Sequence, residues 1–399
     1  MRYRFAAYAL FLVFAGRAED AHPPTTAAQR LIRPPQIEFD EALAISTALQ
    51  WWSDRSTFKT IRYGGFRVKP GGMVAGSGFA LGGEFFRDDL AGGQVLIRAS
   101  GRSSFTGYQL YDAEFALPRL LGEHVFVDLL GTYRNFPRMS YFGPGPDSSK
   151  NSRTSYRLED VAYELTVGVN PFSRLRLGAS GGFLQVNVGP GQHSRFLSTE
   201  EAFGPVTTPG VDRQSDFITT RGFVDFDYRD STSGPRSGGY YSATFSNYED
   251  RSLRTGSHRR LDLRAQQYIP FFSKQRVIAL RGYTALTEAR AGHRIPFYLQ
   301  PTLGGPDTMR GFHPFRFHDE NLLLMNAEYR WKISSGVEMA AFVDSGKVFA
   351  TRQSLDTRDL MHSYGVGMRF NSRESNFLRV DVGCGNEGCR VWLRFNNFF

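Results

Sequence analysis

The sequence predicts an all-β fold, a transmembrane antiparallel β-barrel of about 16 strands with one short N-terminal helix. Three observations lead to this prediction. Polar and apolar residues alternate with a period of two over most of the chain, the longest connections follow every second alternating segment, and the chain begins with a pattern typical of exported proteins. No apolar run after residue 18 approaches the roughly 20 residues of a membrane-spanning helix, which excludes a helical membrane protein.

Residues 1–18 have the features of a secretory signal peptide. Arg2 and Arg4 precede an apolar stretch from Phe5 to Ala15, and small residues follow it. A short buried helix is the alternative, but it does not explain the basic start. We therefore expect the mature chain to leave the cytoplasm, and its formal net charge to fall from +9 to +6 because three arginines and no acid are removed.

Residues 19–57 form a predicted N-terminal leader. Its first half is polar and contains several prolines, which favours an extended conformation. Within residues 39–53, the acids Asp40 and Glu41 are followed by strong helix formers. This order predicts one short helix, because acids favour the first turn of a helix.

From residue 58 onward, strand-like segments are separated by clusters of Gly, Pro, Asn, Asp and Ser. In the last segment, Val391, Leu393 and Phe395 share one face and polar residues occupy the other, which is the period of a β-strand. The strands of a soluble sandwich alternate in the same way, so the pattern alone does not say which face of the sheet is exposed to water. The predicted strands lie near 58–68, 73–83, 92–103, 105–117, 122–136, 155–169, 173–188, 215–229, 237–248, 258–269, 274–287, 320–333, 336–346, 361–371, 375–383 and 389–397.

The lengths of the connections favour a membrane barrel over a sandwich. The long ones, 137–154, 189–214, 288–319 and 347–360, all follow odd-numbered strands, whereas short turns follow most even-numbered strands. Outer-membrane barrels have this asymmetry, since their periplasmic turns are short and their extracellular loops are long. We therefore predict that residues 58–399 form an outer-membrane β-barrel.

The C-terminus resembles the sorting signal of bacterial outer-membrane proteins. Val391, Leu393 and Phe395 alternate toward a final Phe399. The resemblance implies that the barrel-assembly machinery recognises this strand edge by β-augmentation during biogenesis. An ordinary amphipathic edge strand is the alternative.

The two cysteines, Cys384 and Cys389, flank a short Gly-rich stretch near the C-terminus. An exported protein can oxidise such a pair. A metal site would need further soft ligands, and none of the eight histidines is close in sequence. We therefore predict a loop disulfide, no metal and no cofactor.

The stretch 303–317 resembles the BamA/TamA superfamily of bacterial surface antigens. The resemblance covers roughly 58–399, is most specific in 303–346, and extends to 230–239, which is similar to the family's turn before the ninth strand. It implies that an Arg-Gly-Phe tip on the long loop after the eleventh strand folds back into the lumen of a 16-stranded barrel. The matching residues are Arg310, Gly311 and Phe312 at the tip, Phe342, Asp344 and Gly346 of a Phe-x-Asp-x-Gly motif on the thirteenth strand, and the acid Glu328 on the twelfth.

The residues themselves also support a contact that holds the tip of this loop inside the lumen, which we call the lumen lock. Glu338, Phe342 and Asp344 share one face of their predicted strand, opposite apolar residues, so Asp344 should point into the lumen. Arg310 offers a planar fork that can bond Asp344 or Glu328 through two hydrogen bonds, with Phe312 packed beside it. An exposed loop arginine is the alternative reading.

Three classes of function follow, ranked in this order: an insertion or translocation barrel, a passive or gated pore, and an outer-membrane enzyme. The resemblance implies the first, although residues 19–57 are too few for one of the periplasmic repeats of the family's best-known members. Asp160 and Glu164 share a lumen face without any nucleophile motif, so we predict no enzyme. The expected partners are outer-membrane lipid, the barrel-assembly machinery and a client polypeptide, and dispersed Lys and Arg argue against nucleic acid.

Overall fold

The computed structural model describes residues 65–394 except Ser233, Ser335, Arg373 and Glu374. The predicted signal peptide, the leader with its helix at 39–53, and Phe395 and Phe399 lie outside the described residues, so these assignments stay predictions. Within the described part of the chain, no helix is long and apolar enough to cross a membrane.

Sixteen antiparallel strands form one continuous sheet in chain order, which confirms the predicted all-β barrel. Two further short strands pair with each other inside the connection 290–320, and the helix α1 (Thr199–Ala202) lies in the connection 191–216. The strands are β1 (Phe66–Gly71), β2 (Ala80–Leu90), β3 (Val95–Ser104), β4 (Gln109–Leu120), β5 (Val125–Tyr141), β6 (Thr154–Phe172), β7 (Leu175–Pro190), β8 (Phe217–Asp227), β9 (Gly238–Asp250), β10 (His258–Phe271), β11 (Arg276–Ala289), β12 (Thr302–Leu303), β13 (Phe317–His318), β14 (Asn321–Lys332), β15 (Val337–Phe349), β16 (Met361–Ser372), β17 (Ser375–Gly385) and β18 (Gly388–Arg394).

The outer face of the sheet is apolar and the inner face is polar. Along β6, Tyr163 and Leu165 are exposed, whereas the intervening Glu164 is 4% exposed. On β18, Val391 and Leu393 are 70% and 61% exposed. A soluble sandwich has the reverse polarity, so the outward apolar face resolves the ambiguity that the alternation left open.

The predicted asymmetry of the connections is present. The long connections 142–153, 191–216, 290–320 and 350–360 follow β5, β7, β11 and β15 and share one end of the barrel. We call this the long-loop end, and the opposite end the short-turn end.

One predicted strand is misplaced. The sequence predicts 73–83, but β2 begins at Ala80. Met73 and Val74 are buried in a turn in which both backbone N–H groups donate to Ser77 Oγ, at 3.1 and 3.3 Å. Their side chains therefore pack in an apolar cluster inside the barrel and do not form the face of a strand.

The connection 290–320 fills part of the lumen. Phe297, Tyr298 and Leu299 belong to an apolar cluster with inward residues of β4 to β9. Further along, Leu303 and Met309 join a second cluster with residues of β11, β14 and β15. The longest loop is thus packed into the barrel interior.

Candidate functional site

The docking loop, residues 303–317, folds into a tight tip. Gly304 and Gly305 have φ of +116° and +99°. A Cβ atom on Gly304 would lie 2.2 Å from the carbonyl oxygen of His313, so only glycine fits. Thr308 Oγ1 accepts a hydrogen bond of 2.8 Å from the Gly304 N–H and closes the turn. This turn carries Arg310 to the barrel wall.

Arg310 is 3% exposed and bonds both acids that the sequence singled out. Its Nε and Nη2 donate to the two carboxylate oxygens of Asp344 at 3.0 and 2.6 Å. Its Nη1 donates to Glu328 at 2.8 Å, and its backbone N–H donates to Asp344 at 3.0 Å. This two-pronged contact is the strong form of an arginine–carboxylate pair.

The ring over the guanidinium is that of Phe342, whose centroid lies 3.2 Å from Arg310 Cζ. Phe312, which the sequence placed beside Arg310, packs elsewhere. Its ring centroid is 5.3 Å from that of Phe317, and it also lies against Gly385. The difference arises because Phe342 is on the same strand face as Asp344.

Glycines of both motifs allow this close packing. A Cβ atom on Gly311 would lie 2.6 Å from the backbone nitrogen of Gly385. On β15, a Cβ atom on Gly346 would lie 2.7 Å from the carbonyl oxygen of Leu323 and 3.1 Å from Leu303 Cδ1. Side chains at these two positions would therefore push the loop away from the wall.

The acids have further partners that the sequence analysis missed. Glu328 also accepts hydrogen bonds from Arg330 and Arg369, each at 2.6 Å. Asp344 accepts from Asn326 Nδ2 at 2.9 Å and from Ser363 Oγ at 3.1 Å. These partners lie on β14 and β16, and period-two parity on those strands would have placed them on the lumen face.

A third acid joins from β17. Asp381 is fully buried, lies 3.8 Å from Arg310 Nη1 and 3.7 Å from Arg369 Nη1, and pairs with Arg379. We call the seven charged residues together the lock cluster: Arg310, Glu328, Arg330, Asp344, Arg369, Arg379 and Asp381. Four cations and three acids within the barrel wall can hold a loop in place, because each buried charge is paired.

The last hairpin, β17 and β18, contains the disulfide. Cys384 and Cys389 are joined by a 2.05 Å S–S bond and lie opposite each other in the register. On β18, the exposed Val391 and Leu393 alternate with inward residues. Of the predicted sorting residues, these two are the ones that the structure describes.

A second arginine reaches an acid on β15, in this case from the short-turn end of the barrel. Arg236 lies in the turn 228–237 and pairs with Glu338, which is 2% exposed. Its Nε and Nη2 donate to the carbonyl oxygens of Lys274 and Gln275 at 2.6 and 3.1 Å. Asp230 braces the turn by accepting from the backbone N–H groups of Arg236 and Ser237 at 2.9 and 3.1 Å.

Two other inward acids are each paired with a neighbouring arginine. Asp160 bonds Arg134 at 2.7 Å, and Glu164 lies 3.0 Å from Arg221. Carboxylates paired in this way are poorly suited to general acid–base chemistry. In the part of the chain that the structure describes, no group of three or more His, Cys, Asp and Glu side chains is placed to hold a metal ion.

Comparisons with known proteins place the fold. The chain matches the Omp85 superfamily domain over residues 91–383. It is similar to the crystal structure of BamA from Haemophilus ducreyi lacking POTRA domains 1–3, with a TM-score of 0.62, 15% identity, and coverage of 84% of this chain and 70% of that one. It is also similar to CdiB from Escherichia coli, with a TM-score of 0.55, 13% identity, and coverage of 84% and 63%.

No curated protein matches the chain at a significant level. At these low identities the two structures show a shared fold, whereas the family match spans most of the chain and includes both Arg310 and Asp344. The chain therefore belongs to the Omp85 superfamily.

Proposed function

We propose that the protein is an outer-membrane β-barrel that assists the insertion or translocation of other polypeptides, with the docking loop closing its lumen. Membership of the Omp85 superfamily supports insertion or translocation in the outer membrane at the level of the family. The outward apolar face supports a membrane location, since exposed side chains such as Leu165 and Val391 need lipid around them. The long-loop end is then extracellular and the short-turn end periplasmic.

The two terminal strands of the sheet carry the proposal. Among the described residues, no backbone pairing joins β1 to β18. Unpaired strand edges are templates for adding another strand. A client strand can therefore pair at this seam by β-augmentation, which neither a sealed pore nor an enzyme requires.

The docked loop weighs against a passive pore. Arg310 and the second apolar cluster occupy the barrel interior, and each of the acids that holds the tip is buried. A gated pore is the second candidate, because a cavity of about 570 Å³ lies at the long-loop end beside Arg316, Lys347 and Glu387. The pairing of Asp160 and Glu164 with arginines makes an enzyme the least favoured reading.

Reconstitution tests the proposal. The mature protein is placed in phospholipid liposomes, a urea-denatured outer-membrane β-barrel client is added, and protease-protected, heat-modifiable client is measured over time. Protein-free liposomes and liposomes that hold a porin of similar size are the controls. We expect client folding to be faster than in both controls. Steady ion conductance without any effect on client folding would contradict the proposal and favour the pore.

A further inference from the structure

Four arginines at the long-loop end of the barrel form no ion pair with an acid in the part of the chain that the structure describes. They come from separate segments, namely the outer end of β5, the connections 142–153 and 191–216, and the start of β18. By contrast, Arg310 and Arg134 in the barrel interior each bond an acid. The four unpaired arginines are Arg138, Arg153, Arg195 and Arg390.

The guanidinium of Arg153 is held in place but keeps one donor without a partner. Its Cζ lies 4.4 Å from the ring centroid of Phe196 and 5.8 Å from that of Phe142, and its Nη2 donates to Ser140 Oγ at 3.0 Å. Its Nε is buried and has no hydrogen-bond partner among the described residues, and the same holds for Nε of Arg390. A buried N–H group without an acceptor is destabilising, so both positions favour a ligand that supplies one.

Two histidines from different loops lie beside the same rings. The ring of His193 is 4.4 Å from that of Phe196, and the ring of His313 is 5.9 Å from that of Phe142, measured between centroids. Burial, together with the positive charges of Arg153 and other cations around them, lowers the pKa of His193 and lowers that of His313 to about 4. Both imidazoles are therefore neutral at pH 7 in a region of positive potential.

Glu387, the acid at the tip of the last hairpin, does not neutralise this region. Its Oε1 accepts a hydrogen bond of 2.8 Å from Arg316 Nε, and Arg316 Cζ itself lies 5.0 Å from the ring centroid of Phe142. The negative charge of Glu387 is thus matched by a fifth arginine. The four unpaired arginines leave a surplus of positive charge, and such a surplus destabilises the fold unless an anion offsets it.

The donors in this region suit a phosphate group. A guanidinium presents a planar fork that forms two parallel hydrogen bonds to phosphate oxygens. His193 adds a neutral donor, because its Nδ1 accepts a hydrogen bond of 3.2 Å from the backbone N–H of Arg195, which leaves the ring proton on Nε2.

We propose that the four unpaired arginines and the two histidines form a site at the long-loop end that binds a phosphate group. We call it the phosphate site, and its residues are Arg138, Arg153, Arg195, Arg390, His193 and His313. A phosphate ion in solution and a phosphorylated lipid head group present the same oxygens to these donors, so both are tested. This inference does not depend on the proposed function.

The test compares the parent with variants that each lose one positive charge of the site. Arg153→Gln and Arg390→Gln keep a polar side chain, and Arg195→Gln is added because Arg195 lies outside the sheet, where a substitution leaves strand pairing intact. Arg213→Gln is the matched control. Arg213 lies in the same connection as Arg195, its side chain is 76% exposed, and it pairs with Asp212.

Binding is measured on the mature protein in an uncharged maltoside detergent, which carries no phosphate. In one arm, inorganic phosphate is titrated by calorimetry at an ionic strength held constant with chloride. In the other arm, a glycolipid that carries two phosphate groups is added to the micelles, and bound lipid is counted by native mass spectrometry. The same glycolipid without its phosphates is the control for this arm.

We expect the parent and Arg213→Gln to bind equally, and the three site variants to bind about tenfold more weakly or less, because each loses a charged hydrogen bond. Binding of inorganic phosphate supports the proposal and identifies a site for a solute. Binding of the phosphorylated glycolipid alone also supports it and identifies a site for a lipid head group. Failure of the parent to bind either probe, or equal affinity in all five proteins, would overturn the proposal.

Heat stability separates binding from a purely structural role of these arginines. Without phosphate, the site variants should keep the compact form on gels to at least the same temperature as the parent, because one of several like charges is removed. Millimolar phosphate should raise this temperature in the parent and in Arg213→Gln but not in Arg153→Gln. An equal rise in all proteins, or a loss of stability in the site variants without phosphate, would contradict the phosphate site.

Discussion

Two arginines enter the barrel from opposite ends and pair with acids on the same face of β15. Arg310 comes from the long docking loop and meets Asp344, whereas Arg236 comes from the turn 228–237 and meets Glu338. The Arg310 side chain is 3% exposed and bonds two acids; the Arg236 side chain is 23% exposed and bonds one acid and two carbonyl oxygens. An arginine–carboxylate pair thus occurs twice on this strand, once fully buried and once partly exposed.

The difference shows how burial determines the free energy of unfolding that is lost when the cation is removed. Removing Arg310 leaves Asp344 in the barrel wall, where water cannot replace the guanidinium. Glu328 is less affected, because Arg330 and Arg369 remain beside it. Removing Arg236 opens a site that solvent already reaches. We therefore expect the loop pair to dominate stability and the turn pair to contribute less.

The largest effect is expected for Arg310→Ala. Breaking a buried pair from one side costs about 3–5 kcal/mol, whereas an exposed pair is worth about 0–1 kcal/mol. The variant should assemble poorly and lose its heat-resistant compact form on gels. Stability equal to that of the parent would return the docking loop to the status of an ordinary surface loop.

A double-mutant cycle sharpens this result. Arg310→Ala combined with Asp344→Ala should cost less than the sum of the single changes, because the pair is directly bonded. The coupling should exceed that between Arg310 and Glu328, since Glu328 keeps two other arginines. Urea unfolding in detergent measures the free energy of unfolding of each single and double variant. Strictly additive losses of this free energy would contradict a direct bond between the two residues.

Arg310→Lys should recover only part of the lost stability. A lysine ammonium is a point charge and cannot reproduce the two parallel hydrogen bonds to Asp344. The unfolding midpoint should fall between those of the parent and Arg310→Ala. A midpoint equal to that of the parent would mean that charge alone, and not geometry, holds the loop.

A smaller effect is expected for Arg236→Ala. Loss of a partly exposed charged hydrogen-bond group should lower the free energy of unfolding by about 1–2 kcal/mol. Arg213→Ala is the matched control, because its side chain is 76% exposed and its ion pair with Asp212 should contribute almost nothing. If Arg236→Ala costs as much as Arg310→Ala, burial does not explain the comparison.

The smallest effect concerns pH. Burial, together with the positive charges of Arg390, Arg153, Arg316 and Lys150, lowers the pKa of His313 on the docking loop from 6.5 to about 4. The docked loop thus holds a neutral imidazole, while the released loop takes up a proton below its ordinary pKa. Docking should be complete above about pH 6.5 and weaken as the pH falls toward about 4.

His313→Gln should reduce this pH dependence, since glutamine does not titrate. Arg310 and Arg236 stay charged over the same range. Burial also lowers the pKa of His318 in the same connection, to about 3, so only the difference between parent and variant is assigned to His313. The temperature at which the compact form is lost on gels, measured at several pH values, provides the comparison. The same pH dependence in parent and variant would assign the effect to another group.

Much of the fold followed from the sequence by itself, because a strand exposed to two environments repeats with a period of two. That rule placed most strands, the parity of the long connections and the inward direction of Asp344. The match of Arg310 with Asp344 and Glu328 came from the family resemblance together with the geometry of the guanidinium fork. Each of these inferences depends on local pattern or on a short motif.

The tertiary structure decided what local pattern could not. The outward face is apolar, which the alternation left open, and the turn at Met73 is buried where a strand was predicted. Arg236 and Glu338 are 102 residues apart in the chain, and Trp392, whose indole N–H donates to the carbonyl oxygen of Arg310, is 82 residues from it. The curvature of the sheet into a barrel and the path of the loop through its lumen bring such residues together, because they place distant segments side by side in a way that no local period records.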